Sequence, residues 1–329
     1  MVDRCRSRWI CAAALVSLAL GAATGLADGL PVLGVDAGPT GVTDLGATTR
    51  FVTMPSGPNT VVARVETEGG RIRASRSLRG DLTIPAVAYD GSAGGLSADG
   101  STLALIQPRR AFPRSRTRFE LIATRTLRTR SVIDLRGDFS FDAISPDGRF
   151  VYLVNYTSQT DPTRYRVRAY DARAGRLLPN PVIDPTEPDE QMRGTPMTRA
   201  MSPDGRWAYT LYQGFDGTPF IHALDTAGIT ARCIDLEMLA GQDVSSYRID
   251  IASGGVLGVR NGSKTVASVD PATFAVSVPA RSVPPVARPQ TGRPWALIAV
   301  GVLGAAIVLG AAALTLRRRR PTASGLPSG

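Results

Sequence analysis

The feature that most constrains this chain is a turn that recurs in front of strand-like apolar runs. Ser145-Pro146-Asp147-Gly148 and Ser202-Pro203-Asp204-Gly205 are near copies, and Ser97-Ala98-Asp99-Gly100 is a third. Proline presets φ at the second position, serine and aspartate can hydrogen-bond the local backbone, and glycine accepts a positive φ at the fourth. Each copy is therefore predicted to be a hairpin between two antiparallel strands.

The turns recur roughly every 50 residues, a period typical of repeat folds. Weaker copies are Ser56-Gly57-Pro58-Asn59 and Ser253-Gly254-Gly255, and a second pair of strand-like runs follows each hairpin. Four strands in each unit are typical of a propeller blade. The sequence therefore predicts an all-β chain, a β-propeller of five or six four-stranded blades, with seven blades or a pair of β-sandwiches as alternatives.

The pattern also resembles a known group of repeats. Ser145 to Arg149 is followed by the apolar aromatic run Phe150 to Val154, and a later strand ends in Asp171-x-x-x-Gly175. This arrangement resembles bacterial WD-like repeats of the TolB and YVTN kind. The resemblance implies a propeller scaffold and carries over no catalytic residue, because propellers host both binding modules and enzymes.

Both ends of the chain read as membrane-targeting segments. Arginines 4, 6 and 8 precede an apolar run and a small-residue cleavage site, which predicts a signal peptide over residues 1–27. Residues 295–316 carry no charge, would span roughly 33 Å as a helix and are followed by four arginines, which predicts a C-terminal transmembrane helix. We expect a propeller domain over 28–278, a Pro-rich stalk over 279–294 and a basic cytoplasmic tail over 317–329.

Charge and composition exclude some classes of function. The net charge of +10 is concentrated in the arginines at the two ends, so it does not argue for nucleic-acid binding. His222 is the only histidine, and Cys233 is the only cysteine outside the predicted signal peptide. We therefore expect no metal site, no cofactor and no nucleophile–base set, and we interpret both residues as structural.

One group of residues is a candidate for a ligand-binding site. Counting back three residues from the turn serines gives Asp142, Arg199 and Asp250, which we expect to converge on the mouth of the central channel as a polar ligand site. The alternative interpretation is that these three residues form a salt-bridged ring that only stabilises the channel.

Two charged segments are candidates for an interaction surface. The basic one contains Arg109, Arg110, Arg114, Arg116 and Arg118, and the acidic one contains Asp184, Glu187, Asp189 and Glu190. Such runs are usually solvated charge, but they also fit docking of an envelope protein or an anionic polymer.

The sequence as a whole predicts a single-pass membrane protein whose propeller lies outside the cytoplasm in the cell envelope. We expect a non-enzymatic ligand- or protein-binding module. The alternative is a propeller hydrolase, lactonase or lyase with its site at the channel mouth.

Overall fold

The predicted all-β character is confirmed. A computed structural model describes residues 41–188, 192–252 and 254–279, and these residues form antiparallel β-strands with one short 3₁₀ helix, Glu237–Leu239. Four sheets of four strands and one sheet of three follow one another along the chain, each paired in sequence order.

The strands are divided among the sheets as follows. The first sheet contains β1 (Val42–Thr43), β2 (Thr49–Ser56), β3 (Asn59–Glu66) and β4 (Ile72–Arg79). The second contains β5 (Thr102–Ile106), β6 (Arg116–Ala123) and β7 (Arg128–Arg136). The third contains β8 (Phe139–Ile144), β9 (Phe150–Tyr156), β10 (Tyr165–Asp171) and β11 (Arg176–Val182). The fourth contains β12 (Gly194–Met201), β13 (Trp207–Gly214), β14 (Phe220–Asp225) and β15 (Thr230–Asp235). The fifth contains β16 (Tyr247–Ile251), β17 (Leu257–Asn261), β18 (Lys264–Val269) and β19 (Val276–Ser277).

The recurring turn is a hairpin between the first two strands of the third and fourth sheets. The Ser145 hydroxyl donates to Asp147 Oδ1 at 2.6 Å and accepts from the Phe150 N–H at 2.9 Å. Equivalent hydrogen bonds are made by Ser97 and Ser202 in their turns. Serine and aspartate therefore close the hairpin, as the sequence predicted.

In the first sheet the prediction chose the wrong turn. Ser56 to Asn59 joins β2 to β3, the second and third strands of that sheet, so it is not the equivalent hairpin. Asp44 occupies the place of the turn serine, because its carboxylate accepts the Thr49 N–H five residues on, at 3.1 Å. An aspartate carboxylate accepts the backbone hydrogen bond that a serine hydroxyl accepts in the other turns. A search for turn serines therefore missed this copy.

The apolar core lies between successive sheets. Separate clusters of buried side chains join the first sheet to the second, the second to the third, the third to the fourth and the fourth to the fifth. The segment between β4 and β5 reaches farther, since the N–H groups of Tyr89 and Asp90 donate to carbonyls of Pro196 and Met197 in the fourth sheet. Asp90 also lies 3.6 Å from Arg248 of the fifth sheet. Successive sheets around a shared inner region are the arrangement of a β-propeller.

Several predicted features lie outside the described residues. These are the signal peptide over 1–27, the stalk beyond Pro279, the helix over 295–316, the tail over 317–329, and the acids Asp189 and Glu190. Within the three described ranges, no helix combines the length and the apolar character needed to cross a membrane.

Candidate functional site

Asp142 and Arg199, two of the three residues predicted at the channel mouth, form a buried ion pair. The Arg199 guanidinium contacts Asp142 Oδ1 and donates from Nη1 to the Asp142 carbonyl at 2.7 Å. Their side chains are only 2% and 6% exposed, respectively. Among the described residues, Asp142 Oδ2 and Arg199 Nε have no hydrogen-bond partner. The pair thus neutralises its own charge and keeps one spare acceptor and one spare donor.

Asp250, the third predicted residue, does not join them. Its side chain is half exposed and accepts from Arg260 Nη1 of the neighbouring strand at 3.0 Å. Counting back from the turn serines therefore identified two residues that lie together, whereas Asp250 forms its ion pair within its own sheet.

The cavity beside the pair is small. A cavity of about 130 Å³ is lined by Asp142, Arg199 and residues of the recurring turns. Gly205, with φ of +69°, comes so close to Ala98 that a Cβ at position 205 would overlap the alanine side chain. The turn before β5 and the turn of the fourth sheet thus meet beside this cavity. This volume lies below the roughly 300–1,000 Å³ typical of ligand pockets.

The basic segment is split between the interior and the surface. Arg109 is buried, donates to Asp138 at 2.7 Å and lies 4.6 Å from the centre of the Tyr156 ring. Arg114 shares Asp138, and burial followed by repulsion from Arg109 lowers the pKa of Arg114 to about 10. These two arginines stabilise the core and do not lie on a docking surface.

Of the other three predicted arginines, Arg110 and Arg116 are exposed and Arg118 is half-buried, and each pairs with a different carboxylate. Arg110 contacts Asp81 and Arg116 contacts Asp134, both at 2.8 Å, and Arg118 contacts Glu120 at 3.2 Å. The two exposed pairs, those of Arg110 and Arg116, contribute little to stability. The arginines of the basic segment therefore do not form one unneutralised patch.

In the acidic segment, Asp184 is buried and hydrogen-bonded, whereas Glu187 is exposed. Asp184 accepts from the backbone N–H groups of Thr186 at 2.8 Å and Cys233 at 3.0 Å, and from Arg232 at 3.1 Å. Burial alone would raise the pKa of Asp184, but these hydrogen bonds outweigh it and lower the pKa. Asp184 thus ties the third sheet to β15 of the fourth.

A large cavity lies between the third and fourth sheets. This intersheet cleft has a volume of about 570 Å³, within the range of roughly 300–1,000 Å³ typical of ligand pockets. Its lining includes Arg164, Arg166 and Arg193, Asp184 and Glu187, and Met192, His222 and Cys233.

A polar row of the fourth sheet leads from the Asp142–Arg199 pair to this cleft. Cross-strand pairing places Arg199 opposite Thr210, Thr210 opposite His222, and His222 opposite Cys233. Within the described residues the Thr210 hydroxyl is buried without a hydrogen-bond partner. Burial lowers the pKa of His222 to about 4, with Asp142 opposing and Arg199 reinforcing the shift. An imidazole of that pKa is neutral at pH 7 and is a weak general base.

Sequence reasoning missed the arginines of the cleft and the pairing of His222 with Cys233. One signal was available: Asp225 and Thr230 flank a four-residue turn, and counting outwards in equal steps from such a turn pairs 222 with 233. The cleft itself had no local signal, because its walls come from two sheets. In the described part of the chain, no three His, Cys, Asp or Glu side chains are grouped so that they could hold a metal ion.

Comparisons with known proteins add little to this geometry. No protein-family model matches the chain, and no curated protein matches it. Among solved structures, a prolyl endopeptidase aligns with a TM-score of 0.40 and 14% identity, covering 72% of this chain and 36% of its own. TolB from Acinetobacter baumannii gives 0.40 and 14%, covering 70% and 51%. The Swd1 β-propeller domain of Myceliophteria thermophila gives 0.42 and 10%, covering 72% and 69%.

The chain thus spans about a third of the endopeptidase and about half of that TolB protein. At TM-scores this low, these similarities carry no argument about function, and the fold assignment rests on the sheets of the chain itself.

Proposed function

We propose that this chain is a non-enzymatic binding module of the cell envelope, held outside the cytoplasm by a C-terminal membrane anchor, and that its ligand occupies the intersheet cleft. The five sheets are the blades of the propeller in this proposal. The observation that carries it is the cleft of about 570 Å³, whose lining contains three arginines, Arg166 in β10 and Arg164 and Arg193 directly before β10 and β12.

The charges around the cleft favour an anionic ligand group. Arg164 and Arg193 share one carboxylate, Asp161, at 3.7 and 3.0 Å. Arg166 makes no ion pair within the described residues, and the buried Asp184 is already neutralised by Arg232. Glu187 is the remaining carboxylate of the described lining, so the arginines are in excess.

An arginine and an aromatic ring beside the cleft provide a second feature that could recognise the ligand. The Arg193 guanidinium stacks 3.9 Å from the centre of the Phe215 ring, and this phenyl ring is 65% exposed. Guanidinium groups bind carboxylate in a two-pronged geometry, and an adjacent aromatic face holds the arginine in place. An acidic segment of a partner protein or an anionic polymer fits both features.

The alternative of a hydrolase, lactonase or lyase at the channel mouth has less support. Asp142 and Arg199 are occupied with each other, and Asp250 is paired elsewhere. The neutral, deeply buried His222 is a poor general base for such a reaction.

Binding of fluorescent poly-L-glutamate to the full-length chain tests the proposal. Arg166→Glu and Arg193→Glu place a like charge in the cleft, and we expect each to weaken binding at least tenfold, in a salt-dependent manner. Arg76→Glu, on the exposed outer strand of the first sheet, is the matched control and should change affinity less than twofold. Equal losses in all three variants would show that binding is diffuse and not located in the cleft.

A further inference from the structure

One asparagine of the chain is followed by glycine. The chain contains four asparagines, Asn59, Asn155, Asn180 and Asn261, and Gly262 follows the last of them. Asparagine is thermolabile, because the backbone nitrogen of the next residue can attack its side-chain carboxamide and expel ammonia. Glycine has no Cβ to hinder that attack, so Asn261 is the asparagine whose sequence context favours the reaction most.

Asn261 and Gly262 lie in the tight hairpin between β17 and β18. Asn261 is the cross-strand partner of Lys264, so Gly262 and Ser263 form a two-residue turn. Gly262 has a φ of +59°, whereas the φ of Ser263 is not positive, and this combination is typical of a type II′ turn. A Cβ built at Gly262 would meet no atom within 4 Å. The space around this peptide is therefore open.

Both reacting groups are accessible in the folded chain. Asn261, Gly262 and Ser263 are all exposed. Within the described residues, neither the Asn261 carboxamide nor the Gly262 N–H is seen in a hydrogen bond. The carboxamide can therefore approach the Gly262 nitrogen without the loss of a protein contact, and no local unfolding of a packed region is needed.

The other three asparagines lack this combination of features. Asn180 is exposed, but Pro181 follows it, and proline has no backbone N–H with which to react. Asn59 and Asn155 are only half-exposed and lie within strands, and each is followed by a residue with a bulky side chain. The chain thus contains its own comparison set for the reactivity of Asn261.

We propose that Asn261 is a site of spontaneous deamidation in the folded protein. The Gly262 nitrogen forms a bond to Asn261 Cγ, the bond between Cγ and the carboxamide nitrogen breaks, and ammonia leaves with the proton of the Gly262 N–H. Water then adds to one of the two carbonyls of the cyclic imide and opens it to isoaspartate or aspartate. Water is the co-reactant, and no group is oxidised or reduced.

The reaction changes both the charge and the backbone of this hairpin. Arg260 links the turn to β16, because its Nη2 donates to the Ser263 carbonyl at 3.1 Å and its Nη1 donates to Asp250 Oδ2 at 3.0 Å. Isoaspartate adds a methylene to the main chain at position 261 and a carboxylate opposite Lys264. The longer main chain no longer matches a two-residue turn, whose length fixes the register of the hairpin. The intersheet cleft contributes no residue to this site, so the inference does not depend on the proposed function.

Incubation of the full-length chain in mildly alkaline buffer made with heavy-oxygen water tests the site. Mass spectrometry of the separated peptides locates the heavy oxygen, and an isoaspartate methyltransferase identifies isoaspartate in the same peptide. We expect the peptide of Asn261 to gain one heavy oxygen and to contain isoaspartate as well as aspartate. Its conversion should be at least about tenfold faster than that of the other three asparagines, because glycine hinders the attack least.

Two controls need no altered fold. Asn180 is the internal control for an exposed asparagine without a reactive neighbour, and the chain unfolded in urea gives the rate of Asn261 without the hairpin. The folded chain should retain at least about a tenth of that rate, because the turn is exposed. Asn261→Gln, which must close a larger ring, should abolish the heavy oxygen in this peptide. Conversion of Asn261 only after unfolding, equal rates at all four asparagines, or aspartate without isoaspartate would each overturn the proposal.

Discussion

Lowering the pH from 7 to 5 should destabilise the fold through one side chain, His222. It is the only histidine of the chain, and histidine is the side chain whose ordinary pKa lies in this range. Burial lowers the pKa of His222 from its ordinary value of 6.5 to about 4. In the unfolded chain the imidazole binds a proton as the pH falls through 6.5, whereas in the folded chain it stays neutral until about pH 4.

The sign and size of the effect follow from this difference. The unfolded state binds more protons between the two pKa values, so the free energy of unfolding falls as the pH falls. The complete loss is about 3 kcal/mol, from about 1.4 kcal/mol for each pKa unit, and about 2 kcal/mol of it falls between pH 7 and 5. Below about pH 4 the contribution of His222 to the pH dependence levels off.

Urea unfolding of the full-length chain, followed by tryptophan fluorescence at pH 7, 6 and 5, measures the effect. His222→Gln removes the titrating group, so its free energy of unfolding should be nearly flat over this interval. The comparison uses slopes against pH, and a uniform destabilisation of the variant therefore does not disturb it. Equal slopes in both proteins, or a histidine pKa near 6.5 by NMR of the folded chain, would refute the reasoning.

Three further predictions concern stability. Ser145→Ala removes two hydrogen bonds of a buried turn hydroxyl, and we expect the free energy of urea unfolding to fall by about 1–3 kcal/mol; an unchanged midpoint would contradict the role of the turn. Arg109→Ala leaves the buried Asp138 without its closest partner and should cost about 3–5 kcal/mol in the same assay, while Arg110→Ala, in an exposed pair, should cost less than about 1 kcal/mol. The Ser145 hydroxyl lowers the pKa of Asp147. The ionised Asp147 therefore stabilises the fold above the ordinary aspartate pKa, and this contribution is lost as the pH falls through the lowered pKa. In an acid titration followed by circular dichroism, Asp147→Asn should lose folded structure less steeply below about pH 4 than the parent chain does.

The repeated turn was readable because its chemistry is local. Serine and aspartate two residues apart satisfy the backbone of one hairpin, and the glycine accepts the positive φ of the same turn. The four-strand units follow from the same local pattern, and so does the all-β fold. Where another residue type performs the same function, as Asp44 does in the first sheet, the pattern fails although the geometry is retained.

The candidate sites depended on contacts that no single stretch of sequence contains. Asp142 and Arg199 were placed together by counting from the turns, yet only the packed sheets decide that they neutralise each other and that Asp250 stands apart. Charge alone did not reveal that Arg109 is buried, because its partner Asp138 is distant in sequence. The walls of the intersheet cleft come from segments that are far apart in the chain.

The sequence by itself therefore determined most of the hairpins, the four-strand repeat of four of the five sheets and the all-β class, since these depend on neighbouring residues. Tertiary structure alone decided which charges are exposed and which cavity is large enough to hold a ligand, because burial and cross-sheet pairing are set by segments far apart in the chain. The neutral His222 beside Cys233 illustrates the division: the hairpin makes them partners, and the packing of the third sheet against the fourth buries the imidazole and lowers its pKa.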